Sequence, residues 1–108
     1  MLTSAVTDVP SVDVDGLKVL ADPLRARIVA LLAVESLCVC HIVEETGAQQ
    51  TNVSNHLRAL RRAKLVETER EGRFTYYRLK AEAIEALAAQ LGALAAAARS
   101  PTRKRACP

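Results

Sequence analysis

Aromatic side chains are nearly absent from this chain. One Phe, two Tyr and no Trp occur in 108 residues, although half of the residues are apolar. A core with so few rings must be assembled from Leu, Val, Ile and Ala, which suits helices packed on helices. No apolar stretch approaches the roughly 20 residues that cross a bilayer, so no membrane partner is expected. The opening Met1-Leu2-Thr3-Ser4-Ala5-Val6-Thr7-Asp8 lacks the basic start and apolar run of a secretion signal. Both absences lead to the expectation of a cytoplasmic protein. Cysteine is scarce and odd in number, three in all, and a reducing compartment would keep the thiols free. A disulfide scaffold is therefore not expected, which leaves core filler, metal ligands or redox sensors. Internal repeats are absent too.

What remains is a chain the size of one domain, with little core to spare, so that oligomerisation would help it. The formal charge of +3 and pI near 9.0 permit nucleic-acid binding without requiring it. Residues 1–12 have no helical period and include Pro10, so they read as a flexible N-terminal arm. Helical spacing begins near Val14, with Leu17, Leu20 and Ala21 on one face. Asp22-Pro23 then reads as an N-cap followed by proline at the first helical position. Leu24, Ile28, Leu31 and Leu32 form the buried stripe of the helix that follows. A short third helix after Ser36 stops at Thr46-Gly47, where glycine supplies the left-handed residue.

A fourth helix, about residues 50–63, follows a tight turn, which is the helix-turn-helix layout. The period then changes to that of strands, in residues 65–70 and 73–79, joined at Glu71-Gly72. A hairpin in this place is a wing. The last helix covers about residues 81–98, with Ile84, Leu87, Leu91 and Leu94 on one stripe, and residues 99–108 form a basic tail. The expected fold is thus mainly α with a β-hairpin wing, a winged helix-turn-helix of order ααααββα occupying residues 13–98.

At 100° per residue, Val53, Leu57 and Leu60 fall on one side of the fourth helix, facing the core. Thr51, Asn55, Arg58 and Arg62 gather on the other side, with Gln50, Asn52 and Ser54 near the helix start. Amide side chains pair with adenine edges, arginine pairs with guanine, and threonine meets the thymine methyl. These residues are candidate DNA readers; the bland alternative is an ordinary solvated face. Arg70 and Arg73 flank the wing turn and are candidates for phosphate or minor-groove contact. His56 is expected to sit at the edge of the apolar face, bonded to backbone.

Cys38 and Cys40 stand just before this reader. On a regular helix, residues i and i+2 point about 200° apart. Both could hold one ion only if the first turn were not helical or if the ion unwound it. Two thiolates favour soft or thiophilic ions such as As(III), Sb(III), Cd(II), Pb(II) and Cu(I). Cys107 follows Arg103-Lys104-Arg105, and the tail could extend roughly 30 Å, enough to bring a third sulfur from the same or a partner subunit. His41 is expected to face solvent; as a ligand it would favour Zn or Cd.

Leu37-Cys38-Val39-Cys40, the run Thr51-Asn52-Val53-Ser54-Asn55-His56-Leu57-Arg58, Leu65-Val66, Glu71-Gly72-Arg73 and Tyr77-Arg78-Leu79 together resemble the ArsR/SmtB repressors. The resemblance covers about residues 17–80, and Ala21-Asp22-Pro23-Leu24 is similar to that family's second-helix opening. It implies a homodimer joined by the first and last helices, here through Leu17, Leu20, Leu87, Leu91 and Leu94. It also implies repression at an inverted-repeat operator in double-stranded DNA until a metal or metalloid binds. The family's arsenic and cadmium sensors carry E-L-C-V-C-D-L where this chain has Ser36-Leu37-Cys38-Val39-Cys40-His41-Ile42, so both cysteines carry over. His41 replaces the Asp, and Val43 stands where some arsenic sensors hold a third cysteine. The last helix offers only Glu82, Glu85 and Gln90 and no His, against a zinc site there.

The resulting expectation is a repressor, not an enzyme, released by As(III) or Sb(III). The alternatives are a Cd(II)/Pb(II) sensor, a thiol-redox repressor using Cys40 or Cys107, a small C-x-C thiol enzyme, and a plain architectural DNA binder.

Overall fold

A computed structural model describes residues 9–101 and 104–108. The expectations for residues 1–8 of the arm and for Thr102 and Arg103 of the tail lie outside the described residues. Among the described residues, five helices and one hairpin follow in the order α1 Val14–Leu20, α2 Pro23–Val34, α3 Val39–Thr46, α4 Gln50–Arg62, β1 Val66–Glu71, β2 Phe74–Leu79 and α5 Ala81–Arg99. This is the expected helix-turn-helix with its wing.

Local chemistry explains most of these boundaries. Asp13 and Asp22 cap α1 and α2, accepting from the backbone N–H of Gly16 and Arg25. Gly47 ends α3 at φ 73°, a left-handed conformation that only glycine adopts without strain. At the end of α4 the same conformation falls on Lys64, at φ 64°. There Lys64 N–H bonds the Arg61 carbonyl and Leu65 N–H bonds the Leu60 carbonyl, both at 3.0 Å. This is a Schellman closure, with Leu60 and Leu65 both buried beside it.

The core is aliphatic, as the scarcity of aromatics requires. Ile28, Leu32, Leu37, Ile42, Val53, Leu57, Leu60, Leu65, Val66 and Leu87 are buried together. α1 packs on α2, α2 on α3 and α4, and α3 on α4, while β1 lies against α4 and β2 against α2 and α3. The antiparallel hairpin pairs Val66 with Leu79, Thr68 with Tyr77 and Glu71 with Phe74. A further bridge joins Leu37 to Tyr77 and fastens the wing to the segment entering α3.

α5 meets the body near its start. Gly16 is buried, and a Cβ there would come within 3.0 Å of Leu87 Cδ2 and 2.7 Å of Asp13 Oδ2, so glycine permits this close approach. The Gln90 side chain accepts from Asp13 N–H. Beyond Gln90 every residue of α5 is exposed.

The expectation that no stretch is long and apolar enough to cross a membrane needs correction. α5, at 19 residues, is long and apolar enough to meet that test by length and composition. Its hydropathy comes largely from alanines, which score as apolar yet bury little surface. Length and composition alone carry no more than that.

Candidate metal centre and nucleic-acid interface

Cys38 is not inside α3. It is the N-cap, in extended conformation at φ −94° and ψ 172°, and Cys40 lies on the first turn. The sulfurs meet because Cys38 stands just outside the helix while Cys40 lies on its helical first turn, an arrangement the helix spacing did not anticipate, and no unwinding is needed. The two Sγ atoms stand 2.9 Å apart. Both cysteines are free thiols, Cys38 buried and Cys40 exposed.

His41 does not simply face solvent. Its Nδ1 accepts the Cys38 backbone N–H at 3.2 Å and lies 3.2 Å from Cys38 Sγ. The Tyr76 ring sits tilted beside it, with centroids 6.2 Å apart. One ligand atom from each of Cys38, Cys40 and His41 falls within 4.8 Å of the others, close enough to share an ion. Cys107 is exposed and stands outside this group in its own chain.

The surroundings set the two thiols apart. Burial opposes ionisation of Cys38, but hydrogen bonds from the Cys40 thiol and from backbone N–H groups, His41 and Cys40 among them, outweigh it and lower its pKa. The hydrogen bond to Cys38, then burial, then the charge on Cys38 raise the pKa of Cys40. Of the two thiols, Cys38 is therefore the one whose ionisation its surroundings favour. Two sulfurs and an imidazole form a soft-to-borderline donor set, suited to thiophilic ions and unsuited to Mg or Ca.

On α4, Val53, Leu57 and Leu60 are fully buried. Gln50, Thr51, Asn52, Asn55, Arg58 and Arg62 are exposed and Ser54 is half-buried. Arg58 Nη1 donates to Asn55 Oδ1 at 3.1 Å, so these two side chains present one joined polar surface. No side chain caps the start of α4, leaving its first-turn N–H groups open to an anion. Arg70 and Arg73 are exposed at the wing, where Arg70 donates to the Gly72 carbonyl.

Sequence reasoning missed Arg61, which is exposed and lines a groove with Ser54, Leu57, Arg58 and Tyr77. Its place in the basic last turn of α4, three residues after Arg58, was the available signal. Tyr76 reads from the sequence as a strand residue and Tyr77 as a strand residue within the family-like run Tyr77-Arg78-Leu79, and no local pattern marks the place of either beside the thiol site.

His56 is a boundary residue, but its partners are side chains rather than backbone. Its Nδ1 lies 3.0 Å from Arg25 Nη1 and its Nε2 3.9 Å from Asp22 Oδ1, while Arg25 Nε donates to the Val19 carbonyl. This network ties the α1–α2 turn to α4. Of the leucines expected at a dimer interface, Leu87 is buried in the protomer's own core and Leu17 and Leu20 are half-buried. Leu91 and Leu94 remain 47% and 39% exposed.

Residues 22–68 match the family described as bacterial regulatory proteins of the arsR family. The arsenic resistance transcriptional regulator ArsR1 of Pseudomonas putida is 42% identical over 66 residues, covering 60% of this chain and 52% of that protein. The cadmium resistance transcriptional regulatory protein CadC of Listeria innocua is 36% identical over 74 residues, 68% of this chain and 61% of that one. The chain thus spans little more than half the length of these curated relatives. A solved homodimeric winged helix-turn-helix DNA-binding domain from Mycobacterium bovis, described as a possible ArsR-family regulator, superposes with a TM-score of 0.63 at 30% identity. That likeness covers 97% of this chain and 94% of the other. On the match across residues 22–68 and a relative of this extent, the chain belongs to the arsR family of bacterial regulatory proteins.

Proposed function

We propose that this chain is a cytoplasmic, homodimeric transcriptional repressor that leaves its operator when As(III), or Sb(III), is bound through Cys38 and Cys40. The observation that carries this reading is the meeting of Cys38 and Cys40 sulfurs and His41 at the start of α3, the first helix of the helix-turn-helix. The arsenic-resistance relative supports the choice of ion. A metalloid bound there would replace the 2.9 Å contact between the sulfurs with bonds from each to one centre, which spreads them. The protein's own parts do the rest: α3 packs directly on α4, so a change at the first turn of α3 reaches the helix that presents Thr51, Asn55 and Arg58. The two-fold related readers would face successive half-sites of an inverted repeat, with Arg70 and Arg73 of each wing on flanking phosphates. Dimerisation is supported by the homodimeric relative, and an interface that includes α5 by the exposed Leu91 and Leu94.

A second reading is Cd(II) as the inducer. His41 within the donor group favours it, since two thiolates and an imidazole suit a borderline ion better than a metalloid that seeks three sulfurs. Cys107, supplied by the same or the partner chain, would instead complete a three-sulfur site for As(III).

One experiment separates these readings. Binding to a duplex selected from random sequence by the ion-free protein is followed by anisotropy, with sodium arsenite or cadmium chloride added. Arsenite is expected to weaken native binding about tenfold or more and to leave Cys38→Ser plus Cys40→Ser bound. Release of that double variant by arsenite sinks the reading. Loss of the response to arsenite in Cys107→Ser assigns the third sulfur, and loss of the response to cadmium alone in His41→Ala assigns the imidazole. Release by peroxide without any ion would replace the metal reading with a redox one.

A further inference from the structure

We propose that Tyr77 is the positioning residue through which occupancy of the thiol site reaches the DNA-binding face. This inference rests on the ion-responsive reading above and names the element that transmits the response.

Tyr77 lies in the middle of β2, opposite Thr68 of β1. Its N–H donates to the Leu37 carbonyl at 2.7 Å, and its carbonyl accepts the Leu37 N–H at 3.0 Å. Both backbone groups of Tyr77 are therefore committed to the residue just before Cys38. The same residue borders two depressions. One, of about 350 Å³, opens between the start of α3 and the wing and is lined by Cys38, Cys40, Arg73 and Tyr77 among others. The second, of about 330 Å³, lies against α4 and is lined by Ser54, Arg58, Arg61 and Tyr77. Tyr77 thus touches the thiol side and the reader side at once, half-buried against the core.

The physical argument starts at Cys38. Its extended backbone is held by its own N–H bond to His41 Nδ1 and, one residue earlier, by the pair of bonds to Tyr77. Bonding both sulfurs to one ion spreads them from their 2.9 Å contact, and that spreading, or turning His41 away from the Cys38 N–H, alters the dihedral angles at Cys38. Bond lengths are stiff, so that rotation moves Leu37. The two short bonds to Tyr77 either carry β2 along or break, which makes the bridge a two-state element rather than a soft spring. Movement of Tyr77 displaces its ring against the groove beside Arg58 and Arg61 and shifts the strand that leads back to Arg73. The alternative route runs straight from α3 to α4 through the buried Ile42, Val53 and Leu57.

The test is the coupling factor, the ratio of dissociation constants for a selected duplex with and without sodium arsenite, each variant referred to its own ion-free affinity. In Tyr77→Ala the factor is expected to fall about tenfold, with arsenite still bound in native stoichiometry. In Tyr77→Phe, which keeps the ring, it stays within about threefold of native. A second readout does not depend on how well the alanine variant folds. The chain has two tyrosines and no tryptophan, so Tyr76→Phe leaves Tyr77 as the only strong emitter. Its fluorescence is expected to change with arsenite alone and with duplex alone. Native-size coupling in Tyr77→Ala, or emission that ignores either ligand, overturns the proposal and leaves the α3–α4 core as the route. Absence of any coupling in the native protein would instead fail the parent reading.

Discussion

At the scale of single residues, Asp22 shows how one side chain can serve two elements. Its carboxylate accepts the Arg25 backbone N–H at 3.0 Å and lies near His56 of α4. The Arg25 N–H is the main cause that holds its pKa below the usual carboxylate range, with burial opposing and His56 adding. A folded pKa below the unfolded one means that folding favours the ionised form. The contribution is complete above the unfolded carboxylate pKa and is lost as pH falls through the folded value. Asp22→Asn keeps a neutral cap but not the charge. The variant should therefore melt below the native protein at neutral pH, and the gap should close as pH drops below the carboxylate range. A gap that stays constant with pH would show that charge contributes nothing there. Thermal unfolding of both proteins across that window decides it.

At the scale of elements, the two helix ends of the helix-turn-helix make opposite predictions. Gly47 and Lys64 occupy the same left-handed conformation, at φ 73° and 64°, but only glycine does so without a clash of Cβ against backbone. Nothing stands within 4 Å of a Cβ at Gly47, so an added methyl there meets only the strain of its own backbone. Lys64→Gly should stabilise the protein by about 1 kcal/mol, and Gly47→Ala should destabilise it by a similar amount. Urea unfolding monitored by helix ellipticity measures both. Equal effects of one sign would mean that the unfolded chain, not the helix end, controls stability at these positions. The Gly47 stop is legible in the sequence because glycine announces it. The Lys64 stop is not, since a lysine there reads as one more surface charge.

At the scale of the whole molecule, the protomer is elongated, 61 by 25 by 20 Å. α5, about 28 Å long by its rise per residue, leaves the body after Gln90. Leu91 and Leu94 lie on this free portion, and Val14 of α1 is exposed as well. α1 and α5 meet through Gly16 against Leu87 and Asp13 against Gln90, so the two helices offer apolar surface from one joined unit. Leu91→Glu with Leu94→Glu should yield a folded monomer by sedimentation. Its affinity for a two-half-site duplex should fall about a hundredfold or more, because the second half-site no longer binds at high effective concentration. A variant that stays dimeric would remove this face from the interface. Leu87 is a poor choice for that test: it is buried inside the protomer, and its loss would cost core packing first.

The order of elements, the capped start of α2 at Asp22, the glycine stop at Gly47 and the split of α4 into a core face and a polar face are all written in the spacing of residues along the chain. Each of these follows from interactions within a turn or two of the chain, so local spacing carries them. It also marked Cys38 and Cys40 as a soft pair. How that pair is held depends on contacts between distant parts of the chain. Pairing of Leu37 with Tyr77 joins the segment before α3 to the distant strand β2. Cys38, the next residue, is the extended N-cap, while Cys40 lies on the helical first turn. Their sulfurs meet for that reason, and His41 turns back to the Cys38 N–H as part of the same arrangement. A long-range backbone pairing has no signature in the spacing of residues nearby. The convergence of the thiol site and its contact with the wing became visible only when the chain was folded.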